Sequence, residues 1–512
     1  MKRKTLTTAV VAGLAGIAGI ASVANAVHVN PDGTGQVLIY PYYVARGGNT
    51  SLFTVVNTTT AVKAIKVRFI EGENSREVLD FNLYMSPFDV WTWSVTETAN
   101  GAEFGTADNS CTVPYFFGEG GTFGSFGFSG ALTAGDSGRS TGDRLREGYI
   151  ELIEAGEVVG PIGANAIHGG NGVDGNGNLQ PFDCNALVSA WSVVGGIPGI
   201  WVTNANDQMG PPGGGLFGDA VVINVAGARA FGYDPVALES FYVPGPLDPV
   251  SLHTDPANLF PSLSQALPAT SYVVLGTQTA SPVTVSDTWT SATVLPISAV
   301  LMTDEIMNTY ATEADINGKT EWVVTFPTKR PHVWPPSGLL GAPFTSTFDE
   351  PATNQGDGEA CEPFVFSLWD RNEQSPSIST LPIPSPGEQT GADPELCYEV
   401  NVVTFNNSVA SSGSFGNEAG DIASDVLASR LFLNFDTVSN LGFDTGWAKI
   451  GFNGPTQVPG GPPIVHQLQN PQSLRIYQGL PAAGFAVKAA DAGSFQFGAK
   501  HDHKYTRVIT QG

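Results

Sequence analysis

Three short stretches of this 512-residue chain carry residue types that could do chemistry. Gly135-Asp136-Ser137-Gly138 has the serine of a nucleophilic hydrolase loop. That chemistry needs a histidine to accept the serine proton and a buried acid to orient it. The sole upstream histidine is His28, so an ordinary loop is the preferred reading. Asp174-Gly175-Asn176-Gly177-Asn178 alternates oxygen ligands with glycine, as a chain wrapping calcium would, and Asp174, Asn176 and Asn178 are the candidate ligands. A helix-loop-helix calcium site also requires glycine sixth and glutamate twelfth, where this chain has Leu179 and Asn185. An Asx/Gly turn is therefore preferred, with calcium as the one cofactor the sequence leaves open. His501-Asp502-His503 would place two imidazoles on one face of an ordered strand, able to share a metal, but no third ligand is evident and a solvated tail is preferred.

Four cysteines, Cys111, Cys184, Cys361 and Cys397, form no CxxC pattern. Sequence proximity favours disulfides Cys111–Cys184 and Cys361–Cys397, each adding roughly 3–5 kcal/mol. A glycosidase pair cannot be selected from 48 acidic residues by sequence alone.

The aromatic stretch SREVLDFNLYMSPFDVWTWSV (75–95) could make a sugar platform or fill a core. Period-two phasing sets Leu79, Phe81, Leu83 and Met85 on one face and Asp80, Asn82 and Tyr84 on the other. Ser86-Pro87 breaks the strand, after which Trp91, Trp93 and Val95 share a face. Phe81 lies among Leu and Met and Trp93 beside Val, so core packing is favoured. Tyr84 is left on the wet side as the candidate ligand-binding aromatic.

The elements that must position these residues read as strands. In AVKAIKVRFIEG, Ile65, Val67 and Phe69 alternate with Lys66 and Arg68, predicting a strand with one wet face. QVLIYPYYV, SLFTVVN, this segment and the aromatic stretch predict an immunoglobulin-like β-sandwich over 27–100. Residues 101–290 read as an elaborated β region with Gly-rich loops, including the strand GYIELIEAGEVVG. Residues 291–512 read as a second sandwich region containing EWVVTF, CYEVNVVTF, GWAKIGF and GLPAAGFAVK. The spacing of Ile297, Leu301, Ile306 and Tyr310 predicts a helix over Ile297–Tyr310. With 61 glycines and 36 prolines among 42% apolar residues, the chain is expected to be all-β, with long Gly/Pro-rich loops and few short helices.

Residues 1–26 have the basic, apolar and small-residue parts of a secretory signal peptide, ending Ala24-Asn25-Ala26. Removing its three basic residues takes the formal charge from −25 to −28. Such a charge argues against nucleic acid as a partner. No later stretch reads as a transmembrane segment.

The run from Val27 to Thr92, with EWVVTFPTKRPHV and YQGLPAAGFAV, resembles a group of exported proteobacterial proteins described as cell-surface or surface-layer proteins. The resemblance implies an extracellular location and a β architecture, with no catalytic residues to carry over. The expectation is a noncatalytic, secreted structural protein of a Gram-negative surface, assembling with itself into a layer or filament. Its alternatives are a carbohydrate-binding module or adhesin that contacts cell-surface polysaccharide, and a secreted hydrolase.

Overall fold

The computed structural model describes residues 25–116, 120–125, 128, 142–174, 177–276, 282–290, 293–334, 341–348, 359–375, 393–406, 423–435, 437, 442–456, 458, 460–492 and 495–512. The leader up to residue 24, the Gly135–Gly138 loop and Asn176 lie outside them.

The chain is all-β and its sheets pack as sandwiches. The first sandwich joins two antiparallel sheets. One runs, in spatial order, His28–Val29, Val236–Glu239, Val37–Val44, Glu147–Val158, Val62–Glu71, Glu77–Met85 and Cys111–Val113, with Met209–Gly210 paired to Glu147–Val158. The other runs Arg229–Tyr233, Leu216–Asn224, Asn49–Asn57, Val90–Thr98, Gly101–Gly105 and Gly120–Thr122. The strand GYIELIEAGEV thus sits at the centre of a sheet whose neighbours come from the first hundred residues.

The aromatic stretch fills this sandwich. Phe81, Leu83, Met85, Trp91, Trp93 and Val95 are buried in one cluster. Trp91 stacks on Trp93 at 4.5 Å and Phe53 on Trp93 at 5.2 Å. The indole N–H groups of Trp91 and Trp93 have no hydrogen-bond partner, so shape and apolar contact hold these rings.

The opposite face of the same sheet is not wet. Lys63 and Lys66 are fully buried, and Arg68 is nearly so. Lys63 pairs with Glu154 at 2.8 Å, Lys66 with Asp80, and Arg68 with Glu151 and with Glu77 at 2.6 Å. Loops after Val158 cover this face. Pro256 O accepts a hydrogen bond from Lys66, and Thr254 O one from Asn82. Alternation of charge with apolar residues marks two faces but not which is covered; here both are, and the charges are paired because an unpaired buried charge is far costlier.

The second sandwich sets a four-stranded sheet, Val365–Asp370, Thr445–Gly451, Glu305–Ala311 and Lys504–Thr506, over a five-stranded one. The latter runs Phe432–Phe435, Val400–Phe405, Lys319–Thr325, Ala483–Ala492 and Phe495–Asp502. The five-stranded sheet is a middle layer. Trp322, Val324, Val403 and Ala486 face the four-stranded sheet. Val323, Val400, Val402, Phe485 and Val487 instead join the core of the first sandwich, where Phe485 stacks on Tyr233 at 4.3 Å. Burial on both faces is why WVVTF reads as an unbroken apolar run. The core of the first sandwich therefore extends onto one face of the five-stranded sheet, while the second sandwich keeps its own core on the other face.

The helix expected over Ile297–Tyr310 is shorter. It spans Leu295–Leu301, with Pro296 in its first turn, and gives way to the strands Met302–Thr303 and Glu305–Ala311. Ile306 and Tyr310 are four residues apart, which satisfies the period of two as well as that of 3.6, and the strand wins because Glu305–Ala311 pairs on both sides.

Both disulfides form as expected, Cys111–Cys184 and Cys361–Cys397. Their sequence separations of 73 and 36 correspond to roughly 4 kcal/mol each by loop closure. No helix of the described residues is long and apolar enough to cross a membrane.

Candidate binding face

Tyr84 is fully buried, correcting its expected exposure. The covering loops bring Trp201 onto its ring, stacked at 5.4 Å with planes 5° apart. Its hydroxyl meets His253 Nε2 at 2.9 Å and accepts from Trp191 Nε1 at 2.9 Å. The Nδ1 of His253 lies 2.8 Å from Ala205 O, which can only accept, so Nδ1 carries the proton and Nε2 accepts from Tyr84. Burial pushes the His253 imidazole down to about 4, consistent with this neutral tautomer. The residue expected to meet a sugar is a pin between the sheet and its covering loops.

Asp174 closes a tight turn. Its carboxylate accepts from Asn178 N at 2.9 Å and Asn178 Nδ2 at 3.2 Å, four residues on rather than the two of an Asx turn. The C-terminal histidines are not on a solvated tail. His501 lies on the strand Phe495–Asp502, paired with Ala483–Ala492. His503 is buried, with Nε2–H donating to Val323 O at 3.0 Å and Nδ1 3.2 Å from the Asn308 amide nitrogen. Both His503 nitrogens are thus spoken for by protein groups. Glu359, Cys361 and Cys397 are the grouping among the described residues close enough to share a metal, but both sulfurs are bonded to each other.

An exposed aromatic face does exist, on the four-stranded sheet. In TGWAKIG, Ala448 and Ile450 point into the core, so Trp447 and Lys449 point out. In VFSLWD, Phe366 and Leu368 point in, so Ser367 and Trp369 point out. The register sets Trp369 directly opposite Trp447, and Trp447 directly opposite Thr309 on its other side. The two indoles stack at 4.1 Å with planes 9° apart. Trp447 is 39% exposed. One row along, Ser367, Lys449, Met307 and Lys504 lie side by side, and Lys449 pairs with Glu305 at 2.6 Å.

Trp447 forms one wall of an open groove of about 390 Å³. Met307, Asn308 and Thr309 form its floor, and His501, Asp502 and Lys504 line it from where the two sheets meet. Thr309 Oγ1 accepts from the Lys488 ammonium, which leaves its own proton to donate. Partial burial, then Lys488 nearby, holds the His501 imidazole below its ordinary value, so the neutral ring offers one donor and one acceptor. Asp502 takes the Lys500 ammonium at 2.5 Å, while Lys504 makes no ion pair among the described residues. An aromatic surface edged by hydroxyl, imidazole, carboxylate and ammonium is the interleaving that the 75–95 stretch lacks. The same phase rule, applied to GWAKIGF and FSLWD, carries the signal in the sequence.

No family model, curated protein or solved structure matches the chain.

Proposed function

We propose that this chain is a noncatalytic, exported structural protein of a Gram-negative cell surface, assembling with copies of itself into a layer or filament. One observation carries the noncatalytic part. Among the described residues, the carboxyls and imidazoles most strongly displaced from their ordinary proton affinity are all interior. Burial raises Glu77, Glu154 and Glu321 to about 7 and Glu399 to about 8, and lowers His253, His332 and His503 to about 4. None of the seven is more than 7% exposed. Displaced groups of an enzyme face a cleft that substrate can enter, whereas these lie enclosed among sheets and loops. Glu321, for example, accepts from Val426 N at 2.7 Å, Leu427 N at 2.9 Å and Ser424 Oγ at 2.9 Å.

Export is supported by the leader pattern and by two disulfides with no free cysteine. Two sandwiches packed through a common middle sheet, with paired internal charges, suit a rigid building unit, and an excess of acidic groups suits divalent bridging between units. Fractionation of the producing cells, with protease added to intact cells and N-terminal sequencing, tests the reading. The expected result is a protein that begins at Val27 and is cut from outside. A cytoplasmic protein retaining its leader would overturn it.

A further inference from the structure

The groove beside Trp447 is open, with the indole as one wall, apolar Met307 in its floor and polar groups of Thr309, His501, Asp502 and Lys504 along it, and those polar groups are not exhausted by one another. We propose that it is a saccharide-binding site in which the Trp447 indole stacks on the C–H face of a pyranose ring while Thr309, His501 and Lys504 hydrogen-bond its hydroxyls.

Three features favour a sugar over other occupants. The groove volume of about 390 Å³ lies at the small end of the roughly 300–1,000 Å³ typical of small-molecule sites, room for a short saccharide rather than a protein segment. Trp369, stacked behind Trp447 at 4.1 Å, fixes the indole plane before any ligand arrives, so little rotamer freedom remains to be lost on binding. Lys504 lines the groove, makes no ion pair among the described residues and disfavours a cationic ligand, which would otherwise be the natural partner of an aromatic face. A pyranose needs both elements present here, an apolar plate for its C–H face and donors with acceptors around its rim. The site goes beyond the structural reading above and does not depend on self-assembly.

The test is affinity electrophoresis of the full mature chain through gels containing soluble starch, as a neutral glucan, or alginate, as a polyuronate. Tryptophan fluorescence during titration with each polymer is followed in parallel. Retardation in either gel is expected, and which gel retards the protein tells whether Lys504 meets a hydroxyl or a carboxylate. Trp447→Ala should weaken apparent affinity at least tenfold, while Trp447→Phe keeps most of it and Thr309→Ala loses a fewfold. Phe88, 66% exposed elsewhere on the surface, serves as control, and Phe88→Ala should bind as the parent does. An unchanged melting temperature shows that the variants fold. No retardation and no fluorescence change with either polymer would overturn the proposal, and so would retardation of Trp447→Ala equal to that of the parent.

Discussion

Replacing Tyr84 with phenylalanine removes one oxygen and leaves the ring stacked on Trp201. The oxygen has two partners, the Trp191 indole N–H and His253 Nε2, each at 2.9 Å. His253 is 2% exposed and its Nδ1 proton is already committed to Ala205 O, so its Nε2 would remain as a buried acceptor without a donor. That loss costs about 1–3 kcal/mol, whereas half-buried Trp191 can turn its N–H to water at smaller cost. The expected destabilisation is about 2–3 kcal/mol. Tyr84→Ala also deletes a buried stacked ring, which alone costs about 3–5 kcal/mol. Urea unfolding followed by fluorescence measures both, and a Tyr84→Phe/Trp191→Phe cycle should give coupling above about 0.5 kcal/mol because the pair is in direct contact. A Tyr84→Phe variant within about 0.5 kcal/mol of the parent would refute the pinning role, since such values belong to surface positions. Loss of polysaccharide retention by Tyr84→Ala at full stability would refute it more sharply, because it would return Tyr84 to the surface.

Two further outcomes follow from the buried charges. Glu399 is fully buried with neither carboxylate oxygen hydrogen-bonded, and burial, aided by Glu71 and opposed by Lys329, holds it at about 8. A carboxyl raised on folding contributes stability that is complete below its unfolded value near 4.5 and is lost as pH rises towards 8. The stability advantage of Glu399→Gln over the parent should therefore grow between pH 5 and pH 8, reaching a few kcal/mol; a difference independent of pH in urea titrations would contradict this. Glu147 joins the two sandwiches, accepting from Arg46 and Tyr42 at 3.0 Å each, from Ser429, and from Arg430 N at 3.1 Å. Glu147→Ala leaves Arg46 with Asp143 as its remaining carboxylate and leaves Tyr42, Ser429 and Arg430 N short of an acceptor, which should cost about 2–3 kcal/mol, read as a lower denaturation midpoint, whereas Glu147→Gln should cost less.

Strand identity and inward phase were legible wherever one face was apolar, as at Phe81, Leu83, Trp91 and Trp93. The covering of the other face was not. Tyr84, Lys66 and Arg68 look solvated because local alternation reports polarity, while their burial comes from residues such as Trp201, His253 and Pro256, over a hundred positions away in the chain. The helix over Ile297–Tyr310 failed for a related reason, since a spacing of four fits helix and strand alike and only long-range pairing with Thr445–Gly451 decides between them. Proximity paired the cysteines correctly because each loop was the shortest available. The groove at Trp447 needed the fold, since its walls come from Glu305–Ala311, Thr445–Gly451 and the C-terminal residues together. The outward phase of Trp447 and Trp369 was nonetheless written in GWAKIGF and FSLWD.

The most direct test of the structural reading is negative-stain microscopy of the purified chain beginning at Val27, with and without calcium. Ordered sheets or fibres, strengthened by calcium through the acidic surface, are the predicted result. Monodisperse single particles in both conditions, across a wide range of protein concentration, would contradict assembly as this protein's role.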